Sequence, residues 1–503
     1  MLYAVHVQGT STPYSKERSL VNDSRRWVAL VAVALATFMT YLDNNVVNVA
    51  LPSIQRELGL TIAGLEWVVS GYILVFAGLL LVGGRIADVF GVQRAFYLGL
   101  GIFTLASVAA GLAGGQETLI AARAVQGLGA ALLAPASLAM LTALFPDPRE
   151  RGMAVGIWGG VGALALAVGP FTGGYLSEHA HWGWIFLINA PIGAVTAALA
   201  LWSVRLPAGA RRGSWRRLDP AGLAASSVAL FALTFALIEG AGRGWTSAAI
   251  LGAFAVAALA AAAFALIERR VADPVIDLSP FRDRVFGGGL LTMGLWSFGV
   301  FGIYFFTALY LQNALGFTPT EAGAAFVPMA VLMAVVAVLS SRITALLGAA
   351  VTVATGMALM AVAVGAISTV GAGDGYTDLL PWFLLFGLGG GLLIPLTDLV
   401  LGALPPARAG VASGTLNVSR EVFGLLGITV LGAILNSRQD GHVRDGLPPL
   451  AAFLEAYQST LIVAAAIVAL GVPVSLYALR GIRPAATAQP AEEPAPALEP
   501  VAS

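Results

Sequence analysis

Seven charged side chains stand within or at the ends of otherwise apolar stretches of this sequence, and they are its best candidates for chemistry. Asp43, Arg123, Asp398, Arg420 and Glu421 lie inside such stretches, and Glu66 and Glu239 lie at their ends. In hydrocarbon a charge is costly to hold, so it faces a partner or a water-filled cavity and marks function. Asp43 sits in YLDNNVVNVALP, about eight residues or 12 Å from the outer end of its apolar run. Asn44 and Asn48 share a helix stripe beside it. Arg123 lies about four residues inside its own run, at a comparable depth. A carboxylate beside a movable cation keeps its charge while the two are paired and takes a proton when they separate, as a proton carrier must. The same two residue types also suit a static structural ion pair. Glu421 stands about nine residues into its run, near a bilayer midplane, with Ser413, Asn417 and Gly424 on neighbouring stripe positions. That polar and small face should point inward. A midplane carboxylate can bind a proton or a cationic ligand, or be neutralised locally by Arg420. Asp398 lies about one turn from the end of its run, where a solvated interfacial carboxylate fits as well as a functional one.

Other chemistry finds little support. The four histidines, His6, His179, His181 and His442, fall in tails or loops without metal-ligand spacing. No Walker-type phosphate loop is present, so an ion gradient rather than ATP is the expected energy source and no cofactor or metal is expected. With no cysteine, thiolate chemistry and disulfides are excluded. No basic patch points to nucleic acid. Nothing indicates an enzyme.

The elements that position these charges are membrane spans. Of 503 residues, 58% are hydrophobic and 11% charged, with a mean hydropathy of +0.85, and apolar stretches of span length recur from Trp27 to Tyr477. Fourteen spans are predicted, near 27–51, 66–84, 95–114, 119–145, 152–176, 184–204, 219–239 and 248–267, then 286–310, 322–341, 349–369, 380–402, 412–436 and 459–479. With both termini inside, 21 of the 27 basic residues fall on the cytoplasmic side. Only Arg56, Arg243, Arg438 and Arg444 fall outside, and Arg123 and Arg420 lie within spans. Omitting one span would invert every later connection and destroy this bias, so charge sidedness supports fourteen independently of hydropathy. All but one of the basic residues are Arg, which with the abundant Ala and Gly points to a GC-rich bacterial genome.

An internal repeat divides the spans. GLGAALLAP from Gly127 returns as GLGGGLLIP from Gly387, with six of nine positions identical. RGMAVG from Arg151 is echoed by AGVASG from Ala409, and GRIADVFG from Gly84 by SRITALLG from Ser341. The copies lie 257 to 260 residues apart, as expected of two six-span halves separated by two extra spans. The predicted organisation is a cytoplasmic tail at 1–26, a six-helix bundle at 27–204, two extra helices with flanking loops at 205–285, a second six-helix bundle at 286–480 and a disordered cytoplasmic tail at 481–503. Glycines at 156, 159, 160 and 162, then GPFTGG from Gly169 to Gly174, make the fifth span a candidate close-packed joint. The turn with Arg85, Asp88, Gly91 and Arg94 is short, and Asp88 is placed to cap the next span or pair with Arg94.

At these residues the sequence resembles the major facilitator superfamily, in particular its fourteen-span drug:proton antiporter branch. LDNNVVNVALP resembles the span 1 signature of that branch, GRIADVFG the motif after span 2, LIAARAVQGLGAA the span 4 motif and GPFTGG the end of the antiporter motif. WGWIFLINAPIG and ASGTLNVSREV add to it, and the resemblance covers nearly the whole chain between the tails. It implies an all-α integral membrane protein of the major facilitator fold, in which two six-helix bundles rock around a central site and protons enter as drug leaves. By position, Asp43 and Arg123 would belong to the proton-coupling apparatus. Gly84, Asp88, Gly91 and Arg94 would form a conformational latch, and Gly169, Pro170, Gly173 and Gly174 the antiporter joint. Substrate or proton binding would fall to Glu421, Asn417, Asp398 and Asn48.

Departures from the family pattern sharpen this expectation. Val89, Val92 and Gln93 stand where the latch usually has more basic residues, Gly183 replaces an Arg between Trp182 and Trp184, and Asn45 replaces a common Thr. Glu421 stands where Gln is usual, and Asp398 is also unusual, so the expected cargo is a cationic or amphiphilic amine-bearing antibiotic, an aminonucleoside such as puromycin being one candidate. The expected partners are this drug, protons and the lipid bilayer, for a monomer in the bacterial cell membrane. Secondary transport of a harmless metabolite is the alternative. A non-transporting receptor or scaffold needs neither duplicated bundles nor paired intramembrane charges.

Overall fold

The computed structural model describes residues 23–145, 147–204, 219–271, 279–371, 373–404 and 409–481. The expected tails, apart from Asp23 to Arg26 and Gly481, and most of the basic loop before Asp219 lie outside the described residues. In chain order come α1 (Asp23–Leu58), α2 (Ile62–Phe90), α3 (Val92–Gly111), α4 (Gln116–Leu144) and α5 (Pro148–His179). A short α6 (Trp184–Leu187) leads into α7 (Asn189–Ser203), and α8 (Pro220–Arg243) and α9 (Ala248–Glu268) form a hairpin. Then follow α10 (Arg284–Asn313), α11 (Pro319–Ala325), α12 (Val327–Leu347), α13 (Ala349–Ile367), α14 (Tyr376–Gly391) and α15 (Ile394–Gly402). α16 (Ala409–Arg444), α17 (Pro449–Ala469) and α18 (Gly471–Ala478) complete the chain.

Among the described residues, 13 helical segments are long and apolar enough to cross a membrane. They coincide with the expected spans except that at 152–176, which lies inside α5, a helix of 32 residues. Four crossings are broken in two: α6 with α7, α11 with α12, α14 with α15, and α17 with α18. α1 starts at Asp23, before the expected span, because its charged first turn has partners. The Arg26 guanidinium donates to both carboxylate oxygens of Glu150 at 2.7 and 2.9 Å and lies 5.7 Å from the Phe145 ring, while Arg25 lies 5.5 Å from Trp202.

Side chains close the orphan N–H groups at several helix starts. Thr61 accepts from Gly64 N, Ser247 from Ile250 N, and Thr318 and Glu321 form a reciprocal capping box at the start of α11. The turns from α2 to α3 and from α12 to α13 each pivot on a glycine at positive φ, Gly91 at 96° and Gly348 at 82°. These are matching positions of the internal repeat, and left-handed backbone there favours glycine.

The repeated glycine runs do equivalent work in the two parts of the chain. A Cβ on Gly127 of α4 would strike the Tyr72 carbonyl of α2, and one on Gly387 of α14 the Met329 carbonyl of α12. One step along, Gly129 meets the Phe103 backbone of α3, and Gly389 meets the Gly356 carbonyl of α13. In lipid, helices gain little from hydrophobic exclusion and associate through such close approach.

Helices α1 to α7 pack mainly on one another, as do α10 to α18. The two groups meet where α5 touches α11, α2 touches α16 and α1 touches α10, while α8 contacts both α2 and α16. α9 packs chiefly on α8 and leaves side chains such as Leu259, 71% exposed, for lipid.

The repeat packing yields a prediction. Gly83→Val drives a side chain into the Ala131 backbone, whereas Gly114 faces open space. Overpacking of this kind costs about 1–3 kcal/mol. Thermal unfolding of detergent-purified protein should therefore shift down for Gly83→Val and Gly387→Val, and stay unchanged for Gly114→Ala.

Candidate functional site

α1 carries Asp43 and α4 carries Arg123 to the same point, where both side chains have 0% exposure and Arg123 Nη1 donates to Asp43 Oδ2 at 2.5 Å. Around this pair is a network that the charges alone did not announce. Arg123 Nη1 also donates to Gln126 Oε1 at 2.7 Å, and Gln126 Nε2 donates to Asp43 Oδ1 at 2.6 Å and to Ser107 Oγ of α3 at 2.8 Å. Asn189 at the start of α7 donates to Asp43 Oδ1 at 3.0 Å and to Ser107 Oγ at 3.3 Å. Arg123 Nε donates to the Val68 carbonyl of α2 at 3.2 Å, and the guanidinium lies 4.4 Å from the Tyr72 ring centre and 5.5 Å from that of Phe186. One carboxylate thus accepts from three side chains, and one cation is shared among a carboxylate, an amide, a carbonyl and two aromatic faces. Such partners are what a buried ion pair requires to offset desolvation.

Gln126 follows Arg123 by three residues, so the helix repeat sets both on one face. Gln126 and Asn189 both lie in runs that carry the family resemblance, yet a neutral amide gives no sequence signal of its own. Ser107 gives none at all.

Glu421 occupies a second, separate position on α16. Its side chain is 5% exposed, with Oε1 3.6 Å from Arg420 Nη2. Its Oε2 has no hydrogen-bond partner among the described residues. Arg420 Nη2 also donates to the Tyr41 hydroxyl at 3.3 Å, and its guanidinium lies 5.7 Å from the Tyr41 ring. Tyr41 precedes Asp43 by two residues on α1, so one segment of α1 touches both charged positions. Ser297 of α10 donates to the Arg420 carbonyl at 2.6 Å and anchors this turn of α16.

The other expected site residues fall in different places. Asn48 is buried, with Oδ1 unpartnered among the described residues. Asn417 donates to the Ser413 carbonyl of its own helix at 3.0 Å. Asp398 is exposed on α15, and no hydrogen bond or ion pair joins it to Glu421 among the described residues.

The glycines of α5 form a tight seam. A Cβ on Gly169 would press on Asn45 of α1, one on Gly173 on the Val46 backbone, and one on Gly174 on the Pro319 backbone of α11. From the other side, Gly323 of α11 packs on the Pro170 backbone. Near this seam Gln312 Nε2 of α10 donates to the Val49 carbonyl at 2.7 Å, and Thr320 N donates to Glu178 Oε2 at 2.9 Å. Near the end of α2, Gly84 lies against Pro135, Gly91 supplies the positive φ of the turn that follows, and Arg94 is exposed in the first turn of α3, so the residues expected in a turn before Gly91 are helical. The Asp88 side chain lies outside the described residues. Gln93, standing where a basic residue is usual, donates to the Val204 carbonyl after α7 at 3.3 Å.

Residues 33–428 match the family described as Major Facilitator Superfamily. The chain is similar to a puromycin resistance protein of Streptomyces alboniger, 38% identical over 85% of this chain and 86% of that protein. It is also 38% identical to a methylenomycin A resistance protein of Streptomyces coelicolor, over 82% of this chain and 86% of that one. The multidrug resistance protein Stp of Mycobacterium tuberculosis is 35% identical over 84% of this chain and 79% of its own length. In fold it is similar to a bacterial homologue of the human lysosomal transporter Spinster in an inward-facing, unoccupied conformation. The TM-score is 0.64 at 17% identity, covering 91% of this chain and 98% of that one. The family match, these relatives and the helical architecture agree, and the chain belongs to the Major Facilitator Superfamily.

Proposed function

We propose that this protein exports a toxic small molecule across the bacterial cell membrane in exchange for protons and so confers resistance. The observation that carries the reading is the dry Asp43 and Arg123 pair, held by side chains from α1, α3, α4 and α7. The resistance functions named for the relatives at 38% and 35% identity supply the direction of transport and the class of cargo. Charge sidedness supports an orientation with both termini cytoplasmic. In that orientation the α5 and α11 seam lies on the outer side and holds it shut. Asp43 takes a proton when Arg123 moves away, and pairing with Arg123 expels it. Gly169, Pro170, Gly173 and Gly174 form the joint along which the two helix groups part, and Gly84, Asp88, Gly91 and Arg94, where α2 passes into α3, act as the inner latch. Cargo binds near Glu421, whose unpartnered oxygen suits an amine, with Asn48, Asn417 and Asp398 as further contacts. An aminonucleoside of the puromycin type fits this chemistry.

Expression in a drug-sensitive bacterium across an antibiotic panel, with and without a protonophore, tests the reading. Raised tolerance that collapses with the gradient is expected. Tolerance of no compound would overturn efflux of a toxic cargo and favour a metabolite, and tolerance surviving the protonophore would overturn the energy source.

Asp43→Asn is expected to return tolerance to that of the empty host. It also leaves a buried cation without its anion, a loss of about 3–5 kcal/mol, so the membrane-inserted amount must be measured beside it, with Asp43→Glu as the charge-preserving control. Glu421→Gln should weaken export of cationic drugs by roughly tenfold, the equivalent of about 1.4 kcal/mol in affinity, and leave neutral drugs unaffected. Asp398→Leu should have a smaller effect because the side chain is exposed. Unchanged transport of cationic compounds in both variants, at normal expression, would remove the basis for an acidic cargo site.

A further inference from the structure

Glu66 lies in the second turn of α2 and has no exposed surface. Its Oε1 accepts from Asn436 Nδ2 of α16 at 3.0 Å, while Oε2 has no hydrogen-bond partner among the described residues. α16 reaches this close because residue 432 is glycine, since any Cβ there would collide with the Glu66 carboxylate. The contact therefore sits on the boundary between the two helix groups, and parting α2 from α16 would wet it.

Each element packed on α2 presents few charges here, and none relieves Glu66. On α8, Glu239 lies close enough to oppose a negative charge at Glu66, and it holds the nearby cation itself, accepting from Arg243 Nε at 2.8 Å and from Trp67 Nε1 at 3.0 Å. On α16 the charged residue next along the helix is Arg438, and on α4 it is Glu117, both exposed. Arg123 of α4 is committed to Asp43. At the end of α1, Arg56 is exposed and Glu57 meets His181 at 2.8 Å. The charge of α3, Arg94, is at the opposite end of the molecule. Among the described residues no cation pairs with Glu66. An anion in this place would be desolvated with a single donor, whereas the neutral acid leaves only one hydroxyl unpaired.

We propose that Glu66 is a second proton-binding site, loaded from the outer solution when α2 and α16 part and sealed by their closure over Asn436 and Gly432. The inference rests on the proton-driven reading above and adds a site to it. The carboxylate takes its proton from outer water and returns it there on reopening, so Glu66 gates closure without carrying charge across. Because the closed seam binds the extra proton, acid favours closure and rising pH favours opening.

The chain contains no cysteine, so spin labels can be placed at will. Arg56→Cys and Arg438→Cys put them on exposed ends of α1 and α16. Pulsed electron spin resonance on the full chain in lipid nanodiscs, at steps from about pH 5 to about pH 9, reads their separation. In the wild-type background the separation should lengthen as pH rises. With Glu66→Gln it should stay short throughout, and with Glu66→Asp the response should return. Should Glu66→Gln fail to insert, Asn436→Ala serves instead and should displace the pH response. A response unchanged in Glu66→Gln, or in Asn436→Ala when that variant stands in, would overturn the proposal. So would a wild-type separation that ignores pH, or one that follows sodium concentration at fixed pH. Efflux insensitive to a protonophore, with the Glu66-dependent shift intact, would instead sink the proton-driven reading and leave the site standing.

Discussion

A guanidinium and a carboxylate with no access to water can persist only if every nearby element contributes to holding them, and Asp43 with Arg123 imposes that demand on much of the first helix group. α1 supplies the anion, α4 the cation and Gln126, α3 the Ser107 hydroxyl, α7 the Asn189 amide, and α2 a carbonyl and an aromatic face. Removing any one leaves a desolvated polar atom behind, so these helices are fixed in register by electrostatics as well as by shape. The network is nonetheless not closed: Arg123 Nη2 and Asn189 Oδ1 are buried without a hydrogen-bond partner among the described residues.

Glycine supplies the mechanical complement. Helices meet backbone to backbone within each group at Gly127, Gly129, Gly387 and Gly389, and between groups at Gly174 and Gly323. Contacts within a group lie beside long buried aliphatic and aromatic side chains. The boundary contacts also include polar groups, Glu178, Gln312 and Glu66 among them. These small residues and hydrogen bonds sit beside apolar side chains that belong to one buried core shared by both helix groups.

Much of this was legible in the sequence because a charge in an apolar run is conspicuous. Asp43, Arg123 and Glu421 stood out by residue type and depth alone, and hydropathy located the membrane helices, though several run on by up to ten residues past the expected ends. The neutral members of the network were not legible in the same way. Ser107 and Asn189 resemble many polar residues tolerated in membrane helices, and only the fold shows that they converge. Asp398 drew notice for the same reason as Glu421, yet it stands exposed on α15. Glu66 was visible as a charge at a span end, but its burial depends on Gly432, 366 positions away in the chain, and no local pattern records that.

The two copies of the repeated glycine run differ in one respect. α4 continues as one helix through Pro135, whereas its counterpart breaks at Leu392 and Leu393, between α14 and α15. The first copy is an unbroken helix, and the second is interrupted for two residues before the helix resumes at Ile394. On the reading proposed above, an unbroken helix in one part and a broken one in the other would keep the charged pair in register while the opposite wall adjusts to cargoes of different outline. That division of compliance would let selection retune what is expelled without disturbing how expulsion is powered.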